Sequence, residues 1–333
     1  MTNHQGETSG NRRNNMIQIF RALSILAVVM IHTTPNEEYQ VLYRPFINFS
    51  VAAFLFLSGY LTKIENNNWY AFRKKRITRV IIPYVIWTII YSLQYLNSGF
   101  FTTVTIKNLL TAQAAATMYY IFVYIQFVLL TPLLGLLAKS RYRHLGWLIA
   151  PISILIFKYC PLLIGTNTNT YIQLFWCDTC FVWFTYYYLG LLLGNKIIRA
   201  SYSLKGLLVL YAVSIILQIA EGAYWLSLGE LNCGTQIKLS ALITSTIFLL
   251  IIYTVLSRPN INIKNKLLRL FGDYSFGIYL CHIMFIAILH KSSFYNALPY
   301  PLTSAVVAII SLGACYIFNK ICGERVSKWL GLI

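Results

Sequence analysis

Charged residues are scarce in this chain: they make up 11% of its 333 residues, and only 9 residues are acidic. Soluble globular domains carry about 25% charged residues, so this shortage argues against an ordinary soluble protein. Hydrophobic residues reach 58%, and the mean hydropathy is +0.62. This composition is typical of a protein that crosses a membrane many times.

The 7 cysteines lack the spacing of a metal site or of a disulfide framework. The single CxxC pair, Cys177 and Cys180 in CDTC, falls inside an apolar run. We therefore expect free thiols and no bound metal.

A cleavable signal peptide is also missing. The first residues, MTNHQGETSGNRRNN, are polar and contain two arginines near their end, and the apolar run that follows has no small-residue cleavage site. We expect 1–15 to be a cytoplasmic tail. The outer loops are short, so we expect 16–333 to form a single transmembrane domain.

Long apolar runs dominate the rest of the chain. A membrane-spanning helix needs about 20 mostly apolar residues. Runs of this kind predict about ten transmembrane helices, at 16–34, 45–63, 78–97, 117–138, 146–164, 171–194, 205–221, 238–256, 274–292 and 302–321.

The basic residues orient these spans. Most of the 27 Lys and Arg residues fall in loops that face the cytoplasm if the N-terminus does. The positive-inside rule therefore predicts an all-α polytopic bundle with both termini cytoplasmic. The net charge of +18 then needs no nucleic-acid partner to explain it.

The first predicted span carries two ionisable residues, Arg21 and His32, in RALSILAVVMIH. Eleven residues are about three helical turns, so both side chains leave one face, about 16 Å apart along the axis. Arg21 alone could snorkel to the inner interface, and His32 alone could be a structural histidine. Ionisable groups inside membranes usually face a cavity, and two on one stripe favour that interpretation.

Two glutamates follow this span. Pro35 should end the helix, and Glu37 lies just beyond it. Its carboxylate could accept the second imidazole N–H of His32 and stabilise the ring when it takes a proton. Glu38 could serve instead, although an acidic pair in an outer turn often has no such role.

Arginines repeat every three residues at Arg73, Arg76 and Arg79, where the chain enters the third span. Basic anchoring at the inner interface explains part of this pattern, but lysine would anchor equally well. Arginines at fixed spacing favour a bidentate grip on phosphate. Ser58 and Gly59, in FLFLSGYL, lie in the inner half of the second span. The glycine could instead permit close helix packing.

The remaining candidates are also within predicted spans. Tyr279 and His282 lie in YSFGIYLCHIMF, and Asp178 lies in FWCDTCFVWF. Buried ionisable residues are functional candidates, although a structural pairing is an equal alternative. The tyrosines concentrated in YYIFVYIQF and FTYYYLG are expected to form an interfacial belt rather than to line a cavity.

Together, four of these stretches resemble the acyltransferase-3 family of bacterial integral-membrane acyltransferases: RALSILAVVMIHTT, FLFLSGYL, RKKRITRVIIPY and YSFGIYLCHIMF, in the family's order. Such proteins move an acyl group, usually acetyl, from cytoplasmic acyl-CoA to a hydroxyl of an envelope glycan or related acceptor. The transfer takes place at the outer face of the cytoplasmic membrane.

The resemblance implies a role for each candidate. His32 would be the catalytic histidine, with Glu37 as its partner. Acyl-CoA would bind at Arg21, with help from Ser58, Gly59 and the three arginines at 73, 76 and 79. Tyr279, His282 and Asp178 would support the site.

One departure from the family leaves the acceptor open. Many members carry a histidine and tryptophan pattern in the fourth span, whereas this chain has MYYIFVYIQFVLLTPLL. The residues also leave open whether His32 acts as a general base or forms an acyl-histidine intermediate. The oligomeric state is open as well.

Two other classes of protein would share the apolar composition. A transporter or exporter should show inverted repeats and paired broken helices, which the sequence lacks. The membrane domain of a larger fused enzyme should adjoin a soluble module, and none lies within the 333 residues.

Overall fold

The computed structural model describes residues 2–66, 68–98, 100–161, 178–199, 201–258, 261 and 263–333. This described part contains helices and no β-strand, which confirms the all-α class. The helices are α1 (Thr2–His32), α2 (Glu37–Ile47), α3 (Phe49–Tyr60), α4 (Trp69–Ser92), α5 (Phe101–Thr111), α6 (Tyr119–Lys139), α7 (Gly146–Ile154), α8 (Phe184–Gly194), α9 (Leu204–Ser227), α10 (Leu239–Ser257), α11 (Lys266–Asp273), α12 (Ser275–Leu289), α13 (Ser293–Asn296) and α14 (Leu302–Trp329).

Seven segments of the described chain are long and apolar enough to cross a membrane. An eighth is the pair α11 and α12, which meet at a bend of 79°. These eight correspond to eight of the predicted spans. The other two, 146–164 and 171–194, run into residues 162–177, which lie outside the described residues. The number ten and the cytoplasmic position of both termini therefore stay predictions.

The break after α1 follows from local sequence. Pro35 has no N–H to continue the hydrogen bonding of α1, and the helix ends at His32, two residues before the predicted end of the span. Asn36 then caps α2, because its side-chain oxygen accepts a hydrogen bond from the Tyr39 N–H (3.0 Å). This cap places Glu37 in the first turn of α2, close in sequence to the end of α1.

Helices α3 and α8 approach closely through glycine. A Cβ atom added to Gly59 would lie 2.2 Å from the Tyr187 carbonyl oxygen, and one added to Gly190 would lie 2.2 Å from that of Phe56. Small residues let membrane helices pack backbone against backbone in this way. The surroundings of Gly59 therefore agree with the alternative interpretation, in which this glycine permits close helix packing.

We expect Gly190→Ala to destabilise the protein by about 1–3 kcal/mol or more, because α3 must move to admit the methyl group. The thermal unfolding midpoint in nanodiscs would measure the loss. Gly313→Ala is the matched control, since it is also helical and no atom lies within 4 Å of its added Cβ. Equal midpoints for the two variants would contradict the contact.

The tyrosines of FTYYYLG belong to the core rather than to an interfacial belt. Tyr186, Tyr187 and Tyr188 are all buried. The ring of Tyr187 stacks on Phe127 with centroids 4.6 Å apart, and its hydroxyl shares a hydrogen bond with Thr131 (2.8 Å). The belt prediction is wrong for this stretch because α8 is surrounded by packed helices.

Helix α1 is central to the bundle. It packs against α3, α11, α12 and α14. Its contact with α11 is especially close, since a Cβ atom on Gly272 would lie 2.1 Å from the Gln18 carbonyl oxygen. The helix that carries Arg21 and His32 is therefore enclosed by the segments that carry the other candidate residues.

Candidate active site

A cavity of about 570 Å³ lies beside the middle of α1. Its volume is within the range of about 300–1,000 Å³ that small-molecule sites occupy. It is lined by Asn14, Asn15, Ile17, Gln18, Arg21, Phe54, Leu57, Ser58, Leu61, Arg79, Val80, Tyr120, Tyr124, Arg269, Asp273, Ser275, Phe276 and Tyr279.

The charges in this cavity are mainly positive. Three arginines, Arg21, Arg79 and Arg269, face one carboxylate, that of Asp273. Asp273 is paired with Arg269 across one helical turn (3.8 Å), and Arg21 donates a hydrogen bond to the Gln18 side chain (3.2 Å). A cavity with this charge balance favours an anionic ligand.

Four of the residues singled out in the sequence line this cavity: Arg21, Ser58, Arg79 and Tyr279. They come from α1, α3, α4 and α12, so the fold brings residues from all four family-like stretches to one place. The sequence reasoning missed Arg269 and Asp273, and its belt prediction is wrong for Tyr120 and Tyr124, which line the cavity. Asp273 stands directly before the YSFGIYLCHIMF stretch, which was the available signal.

The other two arginines of the repeat lie outside the cavity lining. Arg76 donates hydrogen bonds to the side-chain oxygens of Thr62 (2.8 Å) and Ser58 (3.4 Å), and so joins α4 to α3. Its guanidinium also lies over the Phe72 ring, 4.6 Å from the centroid. Arg73 has a buried Nε atom without a hydrogen-bond partner.

A pair of histidines lies next to the cavity. The rings of His32 and His282 are 5.4 Å apart between centroids and are tilted by 54°. The ring of Tyr279, which lines the cavity, lies 6.2 Å from that of His282. The cavity lining includes Arg21 but not His32, so Tyr279 and His282 provide the connection from the cavity to His32.

The tautomer of His282 follows from its contacts. This residue is fully buried, and its Nδ1 atom lies 2.9 Å from the Ile278 carbonyl oxygen. A carbonyl only accepts hydrogen bonds, so Nδ1 carries the hydrogen and Nε2 has a free lone pair. That Nε2 atom is buried without a partner among the described residues, which leaves it available to accept a proton or a hydrogen bond.

Glu37 has a different contact from the predicted one. Its Oε2 atom accepts a hydrogen bond from the backbone N–H of Cys233 (3.1 Å), so it holds the loop between α9 and α10. Glu38 is exposed. The proposed pairing of Glu37 with His32 stays a prediction, and the aromatic ring that contacts His32 is that of His282.

Asp178 lies away from the cavity. Gln126 donates to its backbone oxygen (2.7 Å) and accepts from the Cys180 N–H (2.9 Å), which holds this segment against α6. The contact uses the backbone of Asp178, so it gives the carboxylate no role at the site.

The site and fold together define a multi-pass membrane protein with a basic cavity beside a histidine pair. A family model described as an acyltransferase domain matches residues 14–320. The chain therefore belongs to the acyltransferase-3 family and is a membrane acyltransferase. Comparison with curated proteins and with solved structures gives no match.

Proposed function

We propose that this protein transfers an acyl group, acetyl in the simplest case, from acyl-CoA to a hydroxyl of an envelope glycan or lipid-linked acceptor. The transfer takes place across the bacterial cytoplasmic membrane. The observation that carries the proposal is the arginine-rich cavity, which Tyr279 connects to the pair formed by His282 and His32.

The cavity suits the donor. CoA carries its negative charge on phosphates, and Arg21, Arg79 and Arg269 offer forked donors to hold them. The acyl group sits at the far end of a long, thin pantetheine arm. With the phosphates held at the arginines, this arm can extend past Tyr279 toward the histidines while the charged part stays behind.

Transfer at the histidines needs no reactant besides the acyl thioester and the acceptor hydroxyl. The acceptor hydroxyl attacks the thioester carbonyl as His32 takes its proton, the carbon–sulfur bond breaks, and the imidazolium returns the proton to the leaving thiolate. The free lone pair of His282 Nε2 can accept the other N–H of His32 and stabilise its charge. An acyl-His32 intermediate would use the same two residues, with His32 as the nucleophile.

Arg79→Lys should weaken binding of CoA about 10- to 100-fold, because lysine keeps the charge but loses the forked contact. Calorimetric titration of the purified protein with CoA measures this change. Arg76→Lys is the comparison variant, since Arg76 bonds to Ser58 and Thr62 instead of lining the cavity. We expect Arg76→Lys to lower the thermal midpoint more than Arg79→Lys does. Unchanged CoA affinity in Arg79→Lys would assign that residue to membrane anchoring.

Labelled acetyl-CoA and reconstituted vesicles test the activity. We expect base-labile labelled acetyl esters on extracted envelope polymers, detected by mass spectrometry as an acetyl increment. The control is the same incubation without protein. A glycan that moves across the vesicle membrane with no acetyl ester formed would contradict the proposal and favour an exporter.

A further inference from the structure

Three tyrosines lie together just beyond the His32 end of α1. We call Tyr39, Tyr43 and Tyr300 the tyrosine cluster. Tyr39 and Tyr43 are stacked with centroids 5.4 Å apart, and Tyr300 meets the two rings edge-on at 6.2 Å and 5.3 Å. Tyr39 and Tyr43 are 39% and 44% exposed, so part of each ring is free to contact a ligand.

Arg44 links this cluster to the histidine. Its Nη2 atom donates to the Ile31 carbonyl oxygen (3.1 Å), one residue before His32. Arg44 directly follows Tyr43 on α2. Its Nε atom, in contrast, is buried and has no hydrogen-bond partner among the described residues.

Helix capping and membrane anchoring explain only part of this arrangement. The bond from Arg44 to Ile31 caps the end of α1, but it uses Nη2 and leaves Nε unsatisfied. A buried donor without a partner is destabilising, and an oxygen of a ligand would offset this cost. Tyrosines of an interfacial belt need only lie at the membrane surface. These three instead form one contacting group beside that unsatisfied donor.

We propose that the tyrosine cluster and Arg44 form the acceptor site, and that the acceptor presents a pyranose ring. The proposal rests on the function proposed above. The electron-rich faces of the tyrosines would pack against the C–H face of the sugar. The Arg44 Nε–H would donate to a ring-borne oxygen next to the reacting hydroxyl, which would hold that hydroxyl beside His32.

Two soluble acceptors of similar hydroxyl chemistry test this site. Methyl β-glucopyranoside has a ring face, and mannitol is an open chain. Transfer of labelled acetyl from acetyl-CoA to each is measured with the reconstituted full chain. The wild-type protein should prefer the pyranoside in kcat/KM. Tyr43→Ala should reduce this preference about tenfold, and Tyr43→Phe should largely keep it because the ring remains.

Arg44→Lys separates ligand contact from helix capping. Lysine can still donate to the Ile31 carbonyl, so the thermal midpoint should change little, but kcat for the pyranoside should fall about 10²-fold. Tyr224→Ala is the control, since Tyr224 is 58% exposed near the end of α9 and lies outside the tyrosine cluster. In Tyr224→Ala, the ratio of kcat/KM for the pyranoside to that for mannitol should match the wild-type ratio.

The outcomes separate this proposal from the one on which it rests. Equal use of the two acceptors, use of neither, or the same ratio in Tyr43→Ala and Tyr224→Ala would overturn the acceptor site. Acetylation of envelope polymers in the parallel assay would leave the proposed function standing in each of those cases. Failure of that assay as well would overturn both.

Discussion

His32→Ala should lower the rate of acyl transfer by about 10²–10⁴-fold while acyl-CoA still binds. The loss is the usual effect of removing a general base. Binding should persist because His32 is outside the cavity lining, which contains the arginines that would hold the phosphates. Along α1, Arg21 and His32 are about 16 Å apart. Acetyl transfer and calorimetric CoA binding are measured on the same preparation.

His144→Ala serves as the control for this experiment, because His144 is exposed in the turn before α7 and far along the chain from the site. It should keep both activities. Near-normal transfer by His32→Ala would remove His32 from the mechanism. Loss of CoA binding together with transfer would instead mean that the substitution disturbs the fold, and His32→Gln would then be used to repeat the comparison.

Hydropathy predicted the helical class because a membrane helix must satisfy its own backbone and present apolar side chains over its full length. Seven of the predicted spans correspond to helical segments of the described chain that are able to cross a membrane, and an eighth corresponds to the bent pair α11 and α12. The bend between α11 and α12 was not predicted. The sequence GDYS contains no proline, and although its glycine and serine can break a helix, they do not by themselves predict a bend of 79°.

The arginine repeat shows what helical spacing can and cannot predict. Residues three apart lie on neighbouring parts of a helix surface, so Arg76 and Arg79 were expected to act together. In the structure Arg79 lines the cavity, whereas Arg76 bonds to Thr62 on the adjoining segment. The angle of about 60° left between neighbours is enough for them to meet different helices.

The partner of His32 depended on contacts that sequence spacing does not encode. Glu37 was the predicted partner because it follows His32 closely and a proline turn separates them. The ring found beside His32 is that of His282, which is brought there by the packing of α12 against α1. The tyrosine-rich stretch of α8 is a similar case. Its residue types suit an interface or a core, and only its position among α3, α7 and α10 decides between them.

The arginine of the cavity and a histidine of the pair lie on one helix, and the length of an acyl donor would account for this arrangement. Helix α1 presents Arg21 to the cavity near its middle and His32 to His282 at its C-terminal end. An acyl donor whose charged group and reactive thioester are far apart would need a binding site and a reaction site at a fixed distance. A rigid helix provides this distance, and precise positioning of the two reactants lowers the barrier to transfer.

If His32 and His282 act as one unit, removing both should cost little more than removing one. We expect His282→Ala to lower kcat about 10²-fold, and the double variant to be within about threefold of His32→Ala alone, because groups that share one proton transfer are not additive. Single-turnover acetyl transfer on the four proteins of this cycle measures the coupling.

Arg79→Lys combined with His32→Ala is the matched control pair. Arg79 lines the cavity and His32 does not, so the free-energy effects of the two substitutions should add. The loss in kcat/KM of the combined variant should then equal the product of the two single losses. CoA binding by His32→Ala, His282→Ala and the histidine double variant shows that the buried site of His282 has kept its fold. Loss in the histidine double variant equal to the product of the two single losses would mean that the rings work independently. His282 would then be a packing residue, and the free lone pair on its Nε2 atom would have no part in orienting His32.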